Sequence, residues 1–438
     1  MIDDITGPGG DTTPKHPPLL QNNRAENTSP PPDASKLQED VETIDLDTAE
    51  DDHDSKAPPA VKDSKPVTSK NPFKRLAVMW HKFSLRKKIV VGSVAFLILF
   101  AAGAGSFLLL RSTPVKIVTS PKKVAVKTLP KVQPVALVSK LTGLPITDPS
   151  VNSRPVTGVM IENSLPARPQ SGLDQAGVVF EAVAEGGITR FLALYQDTQP
   201  TYLGPVRSAR PYFVQWCMSF DCAYAHVGGS PEGLSDIQAW GVKNMDQFYN
   251  SSAYERITSR FAPHNVYTSA SQLNTLEASL GYTSSVYTPW PRKSDSPSKN
   301  PTAASIDISP SSPDYASHYD YDPSTNSYKR SEGGAPHMEV DASGNQTQIT
   351  PKVVIAMVIP ESNGPLDSTG AYYTVYATIG SGQADIFQDG NVTIGTWQKT
   401  SNSAQITFTD SSGKPIKLNA GQTWLTAVGS AGDISYKP

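Results

Sequence analysis

The chain has 438 residues and a formal net charge of −3, which excludes a basic nucleic-acid footprint over the molecule as a whole. That length suits two or three domains. Its two cysteines lie outside any CxxC spacing and no HExxH is present, so the common zinc motifs are excluded as well.

Residues 1–73 read as a disordered acidic cytoplasmic tail. Through residue 64 there is no Phe, Trp or Tyr, and Pro, Asp, Glu, Ser and Thr dominate. Such a segment cannot bury enough apolar surface to offset the entropy of ordering it. A basic juxtamembrane stretch follows at 74–88, with Arg75, Lys82, Arg86, Lys87 and Lys88 near Trp80. Residues 89–110, IVVGSVAFLILFAAGAGSFLLL, are 22 residues without a charge. About 20 helical residues cross a bilayer, so the segment reads as one transmembrane helix. The heavier basic flank is N-terminal, which places the N-terminus in the cytoplasm and the rest of the chain outside. Residues 111–140, rich in Lys, Val and Pro and free of acid, form an extracytoplasmic stalk. Its lysines can lie against anionic headgroups.

Residues 141–290 predict a layered α/β domain. VTGVMIE (156–162) and AGVVFEAVA (176–184) are short apolar runs suited to buried strands, and ITRFLALYQ (188–196) alternates as a strand does. PYFVQWCMSF (211–220) sets Phe213, Trp216, Cys217 and Phe220 on one helical face, with Pro211 in the first turn. CAYAHV (222–227) is a strand, and PEGLSDIQAWG (231–241) a helix stopped by Gly241. In 269–282, Ser269 and Gln272 have capping-box spacing, and Leu273, Leu276 and Leu280 share a face. Cys217 and Cys222 either form a disulfide outside the membrane or pack as two small buried residues; the sequence leaves both open.

A Ser/Pro-rich linker at 291–305 leads to residues 306–438, which predict a mainly antiparallel all-β domain. Strands are expected at 372–380, 383–400, 404–418 and 422–429, with hairpin turns at QDGN (388–391) and SSGK (411–414). Trp397 and Trp424 are expected in its core.

Chemistry-bearing residue types gather at the strand ends of the first domain, where open α/β sheets meet ligands. Arg168, Arg190, Arg207, Arg210 and Arg260 all fall in such stretches. Arg207 and Arg210 in GPVRSARP (204–211) stand at a turn entering a helix, whose free N–H groups and dipole add to two forked donors. The match is an anion: phosphate, pyrophosphate or carboxylate. Glu185, His226, Ser208 and His264 complete the expected ligand-binding set. The structural alternative pairs these arginines with Glu162, Asp174, Glu181 and Glu185 as loop braces. A Mg²⁺ ion shared with a substrate phosphate would fall to Glu162, Asp174 or Glu185. A serine hydrolase would need Ser208 or Ser230 beside His226 or His264, without a GxSxG motif.

LTGLPI (141–146), RPVTGVMIEN, ARPQSGLDQAGVVFEAVAEGGITRFLALY, GPVRSARPYF, AHVGGSPEG, APHNVYTS, YKRSEGGAPH, FQDGNVTIGTW and GQTW together resemble the YerB-like family over residues 141–430. That family consists of bacterial membrane-attached proteins with two domains and no assigned biochemical role, and its members often carry a lipid anchor. No lipobox cysteine follows the span here, so the helix is the expected anchor. A looser layout is similar to the LytR-CpsA-Psr transferases, which move lipid-pyrophosphate-linked glycopolymers to the cell wall. That similarity would match Arg207 to a pyrophosphate-binding arginine and set Glu185 near a metal-binding acid. Ser208 stands where that family has Asp, and its Arg-Gln-Gln motif is missing. The resulting expectation is an extracytoplasmic protein binding a lipid-linked phosphate or an envelope glycopolymer, with transferase activity as an extension. The rival expectation is a non-catalytic envelope scaffold.

Overall fold

The computed structural model describes residues 137–438, all within one compact unit. The tail, the basic stretch, the span at 89–110 and the stalk through residue 136 lie outside the described residues. No helix among the described residues is long and apolar enough to cross a membrane.

The apolar runs of the first half become strands β1 (Thr157–Glu162), β2 (Val178–Glu185), β3 (Ile188–Tyr195) and β4 (Ala223–His226), and the mostly polar stretch Lys243–Asp246, where no strand is expected, adds β5. Its helices are α1 (Pro211–Met218), α2 (Pro231–Ala239) and α3 (Ala270–Ser279). Local chemistry sets their ends. Pro211 and Pro231 occupy first turns, Ser230 accepts from Gly233 N, and Ser269 accepts from Gln272 N. Because α3 ends at Ser279, Leu280 caps it and is exposed rather than sharing the buried face of Leu273 and Leu276.

The second half supplies β6 (Ser305–Ile308), β7 (Ser317–Asp322), β8 (Ser327–Glu332), β9 (Ala335–Pro336), β10 (Val353–Val358), β11 (Glu361–Leu366) and β12 (Tyr372–Tyr376). The remaining strands used here are β13 (Gly380–Gln388), β14 (Asn391–Lys399), β15 (Thr407–Thr409), β16 (Thr423–Val428) and β17 (Ile434–Lys437). Asp389 and Gly390, both at positive φ, turn β13 into β14, as an Asp-Gly hairpin requires.

The result is mainly β, with few helices. A mixed twelve-stranded sheet runs β15-β14-β13-β10-β16-β2-β3-β1-β4-β5, with the β11–β12 hairpin attached to β2 through Tyr373 and Glu185. A five-stranded antiparallel sheet runs β9-β8-β7-β6-β17. Two features depart from the expected pair of architectures. β2 and β3 are antiparallel in the middle of the sheet, because Gly186 and Gly187 at positive φ fold the chain straight back. β16 inserts in parallel between β10 and β2, so the main sheet runs through both sides of the 291–305 connection.

Alternation along the strands explains the layers. Val178, Phe180 and Ala182 pack with Leu192, Leu194 and the α1 residues Tyr212, Phe213 and Trp216 on one face. Val179, Phe191 and Ala193 pack with Leu273 and Leu276 of α3 and with Ile306, Tyr319 and Tyr328 of the smaller sheet on the other. Strands covered on both faces read as continuous apolar runs, as these do. Trp397 and Trp424 are buried as expected. Glu181, fully buried on β2, is held by Arg330 Nη2 at 3.0 and 2.9 Å, by Trp424 Nε1 at 2.9 Å and by the Thr426 hydroxyl at 3.2 Å. Burial works against charge on Arg330, but Glu181 and then Glu332 outweigh it and keep the guanidinium ionised.

Candidate functional site

β1 and β4 pair in parallel, as do β4 and β5, and they end at Glu162, His226 and Asp246. The loops leaving these ends carry most of the residues singled out in the sequence. The structure divides them into a buried knot, an open crevice and outlying contacts.

The knot centres on Glu185. A register shift between Val183 and Glu185 at the end of β2 goes with its side chain reaching two arginines. Arg190 Nη2 meets Oε1 at 2.5 Å, and Arg210 Nη2 meets Oε2 at 2.5 Å. Arg190 also donates to the Ser208 carbonyl at 2.9 Å, and Arg210 to the Ala209 carbonyl at 2.6 Å. The Arg210 guanidinium lies over the Tyr373 ring at 4.9 Å. Arg190 and Arg210 are almost wholly buried. Burial would push the Glu185 carboxyl up, but Arg190 and then Arg210 outweigh it and hold it below its ordinary range. Two of the expected anion donors, Arg190 and Arg210, are therefore occupied by a carboxylate of the same chain.

Arg207 differs. Its Nε lies 3.2 Å from Glu162 Oε1, its side chain is a quarter exposed, and its Nη atoms have no hydrogen-bond partner among the described residues. That contact is an ion pair without a hydrogen bond, whereas Glu162 accepts from His264 Nδ1, 3.0 Å from each oxygen, and from the Ser164 hydroxyl at 2.8 Å. Nδ1 is thus the protonated nitrogen of His264, and Nε2 has no partner among the described residues. Arg207 and Ser208 line a crevice of about 470 Å³ together with Gly228, Asp246, Phe248, Tyr249 and Arg256.

The other expected contacts are structural. Arg168 pairs with Glu332 at 3.3 Å, donates to Asn163 Oδ1 at 3.1 Å and lies over Tyr315. His226 is fully buried, its Nδ1 against the Gly228 carbonyl at 2.8 Å and its Nε2 against Asn244 Oδ1 at 2.9 Å, so neither nitrogen is open. Arg260 donates to the Pro166 and Pro169 carbonyls.

Ser230 caps α2, and Ser208 has no histidine partner among the described hydrogen bonds. The serine beside His264 is Ser164, 3.4 Å from the same Nδ1 that faces Glu162. A nucleophile, base and orienting acid need the two ring nitrogens of the base to serve different partners, so Ser164, His264 and Glu162 do not form a hydrolase relay. Glu162, Glu185 and Asp174 lie in three separate networks, Asp174 donating its N–H to Glu339 at 2.9 Å. Among the described residues no group of three His, Cys, Asp or Glu is placed to hold a metal ion. Cys217 and Cys222 form a disulfide.

Sequence reasoning missed Phe248, Tyr249 and Arg256. The only local signal was an aromatic doublet between Gln247 and Asn250. It also missed the buried network of Arg330, Glu332 and His337, in which His337 Nε2 meets Gln170 at 3.0 Å. Burial, then Arg330 and Arg168, hold His337 well below its ordinary value, so it is neutral.

Comparison with known proteins adds three findings. Residues 141–283 match the N-terminal domain of a protein family of unknown function, DUF3048, and residues 306–425 match its C-terminal domain. A Bacillus subtilis protein named "Putative lipoprotein YerB" is 30% identical over 296 residues, 67% of this chain and 86% of that one. The crystal structure of YerB from Bacillus subtilis superposes with a TM-score of 0.61 at 29% identity, covering 69% of this chain and all of that chain.

Proposed function

The chain belongs to the YerB-like DUF3048 family, and from that premise we propose that it is a membrane-attached envelope protein whose crevice beside Arg207 binds an anionic ligand, a lipid-linked phosphate or a glycopolymer. Attachment to the membrane is supported by the apolar segment at 89–110 and by the lipoprotein name of the relative. An extracytoplasmic position is supported by the basic flank before that segment and by the Cys217–Cys222 disulfide, a bond that persists in oxidising compartments.

The observation that carries the ligand reading is the guanidinium of Arg207, partly exposed on the crevice with its Nη atoms unpartnered among the described residues. Arg256 adds a second positive charge on the same crevice. Asp246 is the one acid in the crevice lining, and Glu162 lies against the Nε edge of Arg207, so the positive groups offered to a ligand are the Nη atoms of Arg207 and the Arg256 guanidinium. Asp246 is buried and already accepts from Gly228 N and Phe248 N. A second reading, a non-catalytic scaffold, is favoured by the carboxylate pairing of Arg190, Arg210 and Arg168.

Calorimetric titration of inorganic pyrophosphate into the full chain in detergent separates the two. Saturable binding is expected, weakened about tenfold by each of Arg207→Gln and Arg256→Gln and unchanged by Arg168→Gln. No binding, or binding indifferent to Arg207, overturns the ligand reading and leaves the scaffold.

A further inference from the structure

Two large aromatic side chains are exposed next to each other at this crevice. Phe248 is 67% and Tyr249 84% exposed, and both line it. The backbone that carries them is firmly held. Asp246 accepts from Gly228 N at 2.9 Å and Phe248 N at 3.2 Å through its side chain, and from Tyr249 N and Asn250 N at 3.1 Å through its carbonyl. A Cβ on Gly228 would stand 3.0 Å from the Phe248 ring, and Gly228 has φ +56, so a glycine is what lets the ring lie over this backbone. Nearby Tyr254 is buried, with its hydroxyl donating to the Met245 carbonyl. The segment therefore has a buried place for an aromatic ring and still presents two outside it. Phe261 is 91% exposed, on a loop anchored by Arg260 to the Pro166 and Pro169 carbonyls and by His264 to Glu162.

Arginines beside exposed aromatic rings are the residue types concentrated at binding surfaces. Flat rings on a fixed turn offer large contact area at low entropic cost. Beyond them the crevice wall sets Arg207, Ser208, Gly228, Gly229, Asp246 and Arg256 among Val227, Leu234, Pro263 and Val266. The ligand that fits has flat C–H faces to lie against rings and a negative group to meet a guanidinium.

Resting on the anion-binding reading above, we infer that this crevice binds a negatively charged glycan, its sugar faces on Phe248 and Tyr249 and its carboxylate or phosphate on Arg207 and Arg256.

The test titrates the full chain in detergent with four probes: inorganic pyrophosphate, a galacturonate hexamer, a phosphorylated glucose hexamer and neutral maltohexaose. Phe248→Ala/Tyr249→Ala is compared with Arg207→Gln, each checked for unchanged thermal unfolding. The expected result is binding of a charged hexamer weakened about tenfold by the aromatic pair of changes, with pyrophosphate binding unaffected. The charged hexamer that binds more tightly identifies carboxylate or phosphate as the recognised group. Glycan binding that ignores the aromatic changes but falls with Arg207→Gln overturns the glycan inference and keeps the anion site. Maltohexaose binding as well as the charged hexamers overturns the anion requirement, and so does the absence of pyrophosphate binding. Polyglutamate, as a fifth probe, overturns the glycan in favour of an acidic peptide if it binds more tightly and depends on the two rings.

Discussion

Arg207 and Arg210 stand three residues apart in GPVRSARP, yet they end in different electrostatic surroundings. Arg210 turns inward, almost wholly buried, and shares Glu185 with Arg190. Arg207 stays a quarter exposed, touches Glu162 through Nε alone and borders a crevice. Residue type and spacing are the same at the two positions. What separates them is how far each carboxylate is already committed. Glu185 gives one oxygen to each of two arginines, whereas Glu162 is shared with His264 and Ser164 and engages Arg207 on one edge. An arginine in a strand-end loop becomes a brace when an acid takes one of its Nη atoms and a backbone carbonyl takes the other, as at Arg190 and Arg210. It remains available to a ligand when that acid is divided.

The strongest way to break this contrast is to remove the acids one at a time. Glu185→Gln leaves two guanidiniums buried beside one another without a counter-charge, and a loss of about 3–5 kcal/mol is expected in denaturant unfolding of the full chain. Glu162→Gln leaves a partly solvated arginine, and a smaller loss of about 1–2 kcal/mol is expected. Equal losses would remove the distinction between brace and contact. The pH dependence has a definite sign. The Glu185 carboxyl is held below its ordinary value of 4.5 in the folded chain. Its contribution is present above that value and lost as pH falls through the folded one. Stability measured from pH 7 downward should therefore fall less steeply in Glu185→Gln than in the parent.

A third buried cation sharpens the comparison because no acid among the described residues pairs with it. Lys399, 1% exposed, donates to the Ser219 hydroxyl at 2.6 Å and to the Asn402 and Ala404 carbonyls. Burial pulls its amine down to about 7 from 10.5. Between those values the unfolded chain binds more protons than the folded one, so stability should rise as pH goes from about 7 toward 10.5. The contribution is lost as pH falls through about 7. Lys399→Met should flatten that rise in unfolding measured across the alkaline range. A rise that persists in the variant would assign it to another group.

What was legible in the sequence was local. The Ser269 cap, Pro211 in a first turn and the Asp389–Gly390 turn each depend on a few consecutive residues, and each is where the pattern put it. The two tryptophans expected in the core are buried there. What escaped was set by chain crossings. β16 lies beside β2 although about 245 residues separate them, Glu181 with Thr426 and Trp424 being the measure of that distance. Strand order of that kind leaves no trace in local periodicity, so the two halves read as separate architectures. The sequence marks the arginines as a cluster of forked donors, but which of them meets Glu185 follows from the irregular end of β2. The exposed aromatic doublet at Phe248–Tyr249 was passed over because no helical or strand period marks it.

The smallest expected effect concerns His264. Its Nδ1–H faces both oxygens of Glu162, so it competes with Arg207 for that carboxylate. Replacing it with alanine removes one contact at a partly exposed edge, and the stability change should stay near about 1 kcal/mol. With the imidazole gone, Glu162 is free to engage Arg207 more fully, and a guanidinium so engaged has less to offer an anion. His264→Ala should therefore weaken pyrophosphate binding a few-fold while thermal unfolding barely moves, and Glu162→Gln should strengthen binding for the converse reason. If His264→Ala tightens binding, the histidine was not keeping Arg207 available, and the division of Glu162 is not what distinguishes this arginine from its neighbour three residues on.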